Sequence, residues 1–463
     1  MEATPGTSTV YAGGPLLRRY LTFYGLAMVG ITVIWGGVGG ILLPLQVQDI
    51  EFAHWFTGAD AGANLQELNN LKAQIEAGAA TATPDQRRRL DLLSGFDAAR
   101  ASGLSLVSAV GVFVTMFIQP VVGVLSDRTR SRWGRRAPWI AGGAVLGAAL
   151  LIGLRYSGGI GLMVAFWTVA QLAINVAQGP LTVTIADRIP EQRLSTASAV
   201  SGLGTVVGLA LGSVAAGGLF ATLGLDAYYP FALALAVTGG LFVLMARDRS
   251  SADLAVTPFG WGAFLASFLV PLRSADYRWV WVAKLVMFFG YGGVTAFSIY
   301  MLQSYVQPAL SAEEATRTAP LLQLATVPCT AVAMVVAGRW SDRIGRRKPF
   351  VFWASVVFAA SMLVPMVWPT LTALFVQIVV AGLAMGTYLV VDQALFIDVL
   401  PDKGAAGRDL GLGTLGGNFG QAIGPIVAGQ IVALSGGYLM VWVATLVIVL
   451  VAAFAILPVK GVR

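Results

Sequence analysis

The chain has 463 residues, 57% of them hydrophobic and only 11% charged, with a mean hydropathy of +0.76. Soluble domains carry roughly 25% charged residues, so this composition excludes an ordinary water-soluble protein and places most of the surface in lipid. The net charge of +7 does not point to nucleic acid, because the basic residues sit in short clusters between apolar runs, as they do in the inside loops of membrane proteins.

Arg18 and Arg19 precede an apolar run too long for a cleavable signal peptide, which is read as the first span. Runs long enough to cross about 30 Å of hydrocarbon fall at roughly 21–46, 103–125, 138–155, 160–185, 196–220 and 228–245. A second set falls at roughly 279–303, 319–336, 350–367, 371–396, 410–434 and 438–457. These twelve spans are expected to be helices, since lipid cannot hydrogen-bond an open backbone. With the N-terminus inside, 22 of the 30 Lys and Arg fall on inside segments and 7 outside, and Lys284 lies within a span. This bias assigns both termini to the cytoplasm of a multi-pass protein of the cell (inner) membrane.

Two connections are long. The outside loop 47–102 has helix-forming composition at 65–75 and 85–99, with Pro84 near a helix start, and is read as a small helical cap over the outer mouth, the alternative being a partner-binding module. The inside segment 247–278 joins the halves, and its aromatic stretch 259–270 is too short to span and suits a helix at the interface. The expected domains are 1–246 including the outside loop, a linker 247–278, and 279–463.

The two sets are copies. GVLSDRTRSRWGRRAP carries Gly123, Ser126, Asp127, Arg128, Gly134, Arg135, Arg136 and Pro138. GRWSDRIGRRKP repeats it with Gly338, Ser341, Asp342, Arg343, Gly345, Arg346, Arg347 and Pro349, at an offset of 215 that becomes 211 after a four-residue insertion in the first copy. The 211 offset persists, pairing Asp187 with Asp398, Pro190 with Pro401 and Gly202 with Gly413. Each half is therefore six helices related by duplication.

The paired G-x-x-S-D-R…G-R-R loops resemble the signature of the Major Facilitator Superfamily. The resemblance implies an all-α membrane protein with twelve transmembrane helices in two six-helix pseudo-symmetric bundles, working as a secondary active transporter by alternating access. It also implies that the loops are gating latches. Asp127, Arg128, Arg135 and Arg136 would form one, locking against span 11 or span 5, and Asp342, Arg343, Arg346 and Arg347 the other. The chemistry fits, as a carboxylate is favourable at a helix N-terminus and arginine grips it bidentately.

Three stretches are similar to sucrose–proton symporters and the glycoside-pentoside-hexuronide cation symporters. They are IQPVVGVLSDRTRSRWGRRAPWI (Ile118–Ile140), LPLQVQDI after the first span, and NVAQGPLTVTIADRIP (Asn175–Pro190), which holds the Q-G-P of Gln178, Gly179 and Pro180. They imply proton-coupled symport of a sugar such as a disaccharide or glucoside. Those symporters carry an Asp and an Arg in span 4 where this chain has Gln171 and Thr182, so their roles do not transfer.

An ionisable residue inside a span is functional by default. Asp392 lies six residues before Asp398 in span 10, about 9 Å deeper at 1.5 Å per residue. It is the candidate proton-coupling site, a structural partner for a neighbouring Asn or Gln being the alternative. Lys284 is read as snorkelling from span 7 to the headgroups. A sugar needs hydroxyl partners and flat apolar faces, and by the resemblance spans 1, 4, 7 and 10 line the path. This nominates Trp35, Gln171, Asn175, Tyr291 and Tyr388, then Gln119, Asn418 and Gln421, each also able to serve as contact between helices.

One His, one Cys (Cys329) and no nucleophile or phosphate loop at workable spacing argue against an enzyme, a metal or a cofactor. The expected partners are a small molecule, protons and the bilayer, with no nucleic acid, for a monomer. The alternatives are a transporter or exporter of another amphipathic compound and a non-transporting sensor on the same fold.

Overall fold

The computed structural model describes residues 9–11, 13–253, 260, 262, 270–401 and 406–460, without the side chains of 117, 119, 120, 191, 195 and 406–408. The interfacial stretch expected at 259–270 lies outside the described residues except at 260, 262 and 270. Among the described residues all regular structure is helical, and every expected span falls on helix.

The first half comprises α1 (Gly14–Val33), which runs through a π-helical segment (Ile34–Leu42) into α2 (Leu43–Trp55), then α3 (Leu65–Glu76), α4 (Pro84–Asp127), α5 (Ala137–Arg155), α6 (Ile160–Arg188), α7 (Leu194–Leu223) and α8 (Tyr228–Met245). The second comprises α9 (Ala275–Thr295), α10 (Ser298–Ser304), α11 (Ala312–Ile344), α12 (Lys348–Ser361), α13 (Leu363–Val367), α14 (Leu371–Asp398), α15 (Ala406–Ser435) and α16 (Leu439–Ala455). Spans 1 and 7 are both irregular midway: the π segment interrupts one, and a 46° bend between α9 and α10 interrupts the other. Glycine pairs sit beside each break, Gly36 and Gly37 in one and Gly292 and Gly293 in the other.

Contacts gather the chain into two compact units, Met1–Gln46 with Val110–Pro258, and Val47–Ala109 with Phe259–Arg463. Within each, the same device seats one helix on another. In the first unit Gly204, Gly208 and Gly212 of α7 face the first span, where a Cβ on Gly212 would stand 2.8 Å from Val33 Cα. In the second, Gly416, Gly420 and Gly424 of α15 face α9 at the same four-residue spacing, and a Cβ on Gly420 would stand 2.8 Å from Phe289 N. Backbones in contact substitute dispersion for the hydrophobic drive that lipid does not supply.

The outside loop folds as its composition indicates. Asn64 caps α3 by accepting from the amides of Gln66 and Glu67, and Thr83 exchanges hydrogen bonds with Gln86 ahead of Pro84. However, its second helix does not stop before span 2. The two form α4, 44 residues long, or about 66 Å. Phe56, Leu68, Leu93 and Phe96 make a local apolar core, and Arg88 and Arg89 close on the buried Asp60 at 2.8 and 3.0 Å.

The sequence assigns this loop to the first bundle; its bonds run to the second half. Gln66 donates to Ala309 O, Asn70 accepts from Ala309 N, and Lys72 donates to Gly436 O. At the centre, Arg100 is fully buried against Asp97 at 2.7 Å. It donates to Gln48 and Ser304, and its guanidinium lies over the rings of Phe96 and Tyr300.

The glycine seam is testable on one helix. Gly212→Ala is expected to cost about 1–3 kcal/mol through overpacking, whereas Gly218→Ala, with nothing within 4 Å, should be neutral or stabilise by up to about 1 kcal/mol. Thermal unfolding of the purified protein in detergent separates the two.

Candidate functional site

The first latch is assembled by Arg136. The residue is 2% exposed, and its guanidinium donates to Asp127 Oδ1 at 2.6 Å, to Ser126 Oγ at 3.0 Å and to Asp187 Oδ2. Arg135 adds a second bond to Asp187, at 2.9 Å. Trp139 Nε1 ties the loop at Thr129 Oγ1, 2.7 Å away. Arg128 is half-buried beside them. Within the first unit the arginines meet the end of span 4, a partner the sequence did not name.

The physical reason also differs from a carboxylate at a helix N-terminus. Asp127 is the last residue of α4, and Asp187 the second-last of α6. Both carboxylates therefore sit at the negative ends of helix dipoles, where they are unfavourable alone and are offset by cations. Arg188, next in sequence, makes its own buried pair with Asp248 at 2.9 Å and donates to Ala246 O. Ser251 bonds to Thr129 and Ser131, so the start of the linker is tied to the latch loop.

The second latch repeats the plan more loosely. Arg347 pairs with Asp398 at 2.9 Å and donates to Ala394 O at 2.5 Å, while its approach to Asp342 is 3.7 Å. Its side chain is 25% exposed against 3% for Arg136, and Arg343 and Arg346 are exposed.

Deeper in the second unit, Asp392 is buried on α14 and Lys284 of α9 reaches it: Nζ lies 3.0 Å from Oδ2, with the side chains 3% and 11% exposed. The lysine therefore forms an ion pair inside the bundle instead of snorkelling to headgroups. The other carboxylate oxygen, Oδ1, is buried as well, and so is the hydroxyl of Tyr388 one turn earlier, its polar neighbour. Phe396, one turn later, lies beneath the ammonium at 4.8 Å.

Of the nominated cargo residues, Gln171 and Asn175 share a face of α6 with Trp167, at spacings of four. Trp35, in the π segment, meets the Trp167 ring edge-on with centroids 6.1 Å apart. Asn175 donates to Gln171 O at 2.9 Å, and the Gln171 amide lies against Gly111 of α4. Phe288 packs edge-on to both Tyr388 and Tyr291, and Tyr291 also meets Phe358 of α12. Asn418 and Gln421 are half-buried on α15; Gln119 lies on α4 with its side chain outside those described. The sequence missed Trp167, one aromatic in an apolar run. It also missed the Lys284–Asp392 pair, although these are the two opposite charges lying deep in the spans of the second half.

The chain is similar to known proteins. The family model described as Major Facilitator Superfamily matches residues 93–312 and 294–462. The sucrose transport protein SUT4 of Oryza sativa subsp. japonica is 32% identical over 141 residues, 26% of this chain and 23% of that protein. An uncharacterized symporter of Synechocystis sp. is 43% identical over 53 residues, 11% of this chain and 9% of the relative. The matches thus span less than a quarter of these relatives' lengths. Among solved structures, a bacterial homolog to the human lysosomal transporter Spinster, inward-facing and unoccupied, aligns with a TM-score of 0.67 at 13% identity over 97% of this chain and 98% of its own. The nucleoside transporter NupG aligns at 0.65 with 12% identity over 96% and 99%. At such identities the likeness is one of fold.

Arg136 carries the electrostatics of the first latch, so Arg136→Ala is expected to cost about 1–3 kcal/mol, since the buried Ser126 and the exposed Asp127 lose this partner and Asp187 keeps Arg135 alone. Arg347→Ala, half-exposed, should cost under about 1 kcal/mol. Equal losses in thermal melting of the two variants in detergent would remove the asymmetry argued here.

Proposed function

The chain belongs to the Major Facilitator Superfamily, and from that premise we propose that this membrane transporter is a proton-coupled sugar symporter. The observation that carries the reading is Asp392: a carboxylate buried in a span and paired with Lys284 of another helix, with the Tyr388 hydroxyl beside it. An ionisable group inside a span is costly to keep and marks a functional position, and a proton or a cargo hydroxyl can take the place of Lys284 on this one. The sucrose transport proteins among the relatives favour a disaccharide or glucoside.

In this proposal the sugar ring stacks on Trp35 and Trp167, while Gln171 and Asn175 bond its hydroxyls. The candidates of the second bundle are Tyr388 and Asp392, then Tyr291, Asn418 and Gln421, and Gln119 is a further one in the first. The latches of Asp127 with Arg128, Arg135 and Arg136, and of Asp342 with Arg343, Arg346 and Arg347, open and close with alternating access. The working bodies are the bundles 1–246 and 279–463 joined by 247–278, with the outside loop 47–102 bonded to the second, in a monomer of the cell (inner) membrane with cytoplasmic termini.

Uptake of labelled sucrose and simple glucosides into proteoliposomes tests it. An inward gradient of one pH unit is expected to raise accumulation up to about tenfold, the equivalent of 1.4 kcal/mol, and Asp392→Asn to abolish that response. Accumulation indifferent to both the gradient and the substitution would overturn the proposal.

A further inference from the structure

We infer that Lys284 is the built-in competitor of the transported proton: its ammonium and the proton are alternative partners of the Asp392 carboxylate. The inference rests on the proton-symport reading and adds the residue that makes the proton's departure and return reversible.

An ionised carboxylate in a helix bundle needs a counter-charge or a proton. In this structure the counter-charge is Lys284 at 3.0 Å. It comes from another helix, α9, on a flexible stem, so contact with α14 is made and broken by side-chain rotation. Gly417 of α15 lies beside that stem, where a Cβ would stand 3.5 Å from Lys284 Cε, and leaves the lysine room. The ring of Phe396, 4.8 Å from Nζ, gives the ammonium a second resting place through its π face. The lysine can therefore release the carboxylate without being stranded. Besides Lys284, the titratable group acting on Asp392 is the Tyr388 phenol.

The charges balance simply. The incoming proton bonds to a carboxylate oxygen, the ammonium keeps all its protons, and the pair passes from neutral to a single positive charge. When the proton leaves, Lys284 reoccupies the carboxylate and the pair is neutral again, so the empty carrier does not return with a bare anion in hydrocarbon. Without the lysine the deprotonated carboxylate has no partner. The proton stays in place, and the carrier exchanges cargo better than it accumulates it.

Two measurements on the full-length protein test this, using Lys284→Met, Lys284→Gln, Lys284→Arg and Asp392→Asn. The first compares, in proteoliposomes, gradient-driven accumulation of a labelled glucoside with its counterflow exchange. The Met and Gln variants are expected to lose accumulation on the order of tenfold more than exchange, and the Arg variant to keep the ratio of the natural protein. The second needs no cargo. An apolar carbodiimide, which attacks protonated carboxyls, is reacted with the purified proteins at neutral pH, and the peptide holding residue 392 is quantified by mass spectrometry. Labelling should rise about tenfold in the Met and Gln variants, stay low in the Arg variant, and be absent from Asp392→Asn.

Unchanged labelling in both neutral variants, or an unchanged ratio of accumulation to exchange, overturns the role of Lys284. Absence of any proton-driven uptake by the natural protein would instead overturn the symport reading, and the labelling alone would then decide whether lysine and proton compete.

Discussion

Hydrocarbon cannot solvate an unpaired ion, and the buried charges described in this chain are arranged around that constraint. Asp392 is met by Lys284, Asp97 by Arg100, Asp187 by Arg135 and Arg136, and Arg188 by Asp248. Removing one member of such a pair costs more than the pair contributes, because the survivor is left charged in a medium of low dielectric. The pairs thus act less as a store of stability than as a rule about which side-chain arrangements are allowed. An arrangement that separates a pair is admissible only if something else neutralises both members. For Asp392 that substitute can be a proton, the smallest partner available, and for Lys284 the face of Phe396 waits alongside.

The remaining helix contacts need no such switching, and their chemistry differs accordingly. The glycine seams of α7 and α15 bring backbones together without a side chain between them, a contact that dispersion stabilises only at close range. Small residues on the seam also leave no knobs to unlock if one helix slides along another. Charge pairs that are discrete and seams that are smooth divide the molecule into points that choose between states and surfaces that tolerate the change.

Much of this was legible in the sequence, for definable reasons. The spans follow from hydropathy because lipid leaves the backbone only helix, and the latch loops follow because duplication prints them twice. What could not be read is which helix end each loop meets. Asp187 and the arginines are some fifty positions apart, and only packing brings them together. Arg100 looked like a loop residue because hydropathy ends the span near 103, whereas α4 continues outward as one helix and buries the arginine in its own apolar setting. Lys284 was placed at the headgroups because its stem is long enough to snorkel. Its neighbour across the bundle, not its depth, decides where the ammonium goes. The irregular midpoints of spans 1 and 7 were visible only as glycine pairs, whose packing role and whose role in the break look alike in one dimension.

One helix in each half carries both a candidate cargo face and the acid of a latch. In the first it is α6, with Trp167, Gln171 and Asn175 along one face and Asp187 at its end. In the second it is α14, with Tyr388, Asp392 and Phe396 along one face and Asp398 at its end. Six residues separate Asp392 from Asp398, about 9 Å of stiff helix, over which a shift at one end reaches the other with little loss. A change of partner at Asp392 therefore does not need a chain of intervening contacts to be felt by Arg347; the helix itself is the connection. The looser grip of Arg347, compared with that of Arg136, then has a consequence. The latch on the helix that bears Asp392 is the less tightly held of the two, so the half proposed to exchange a charge is also the half whose helix end has the weaker grip.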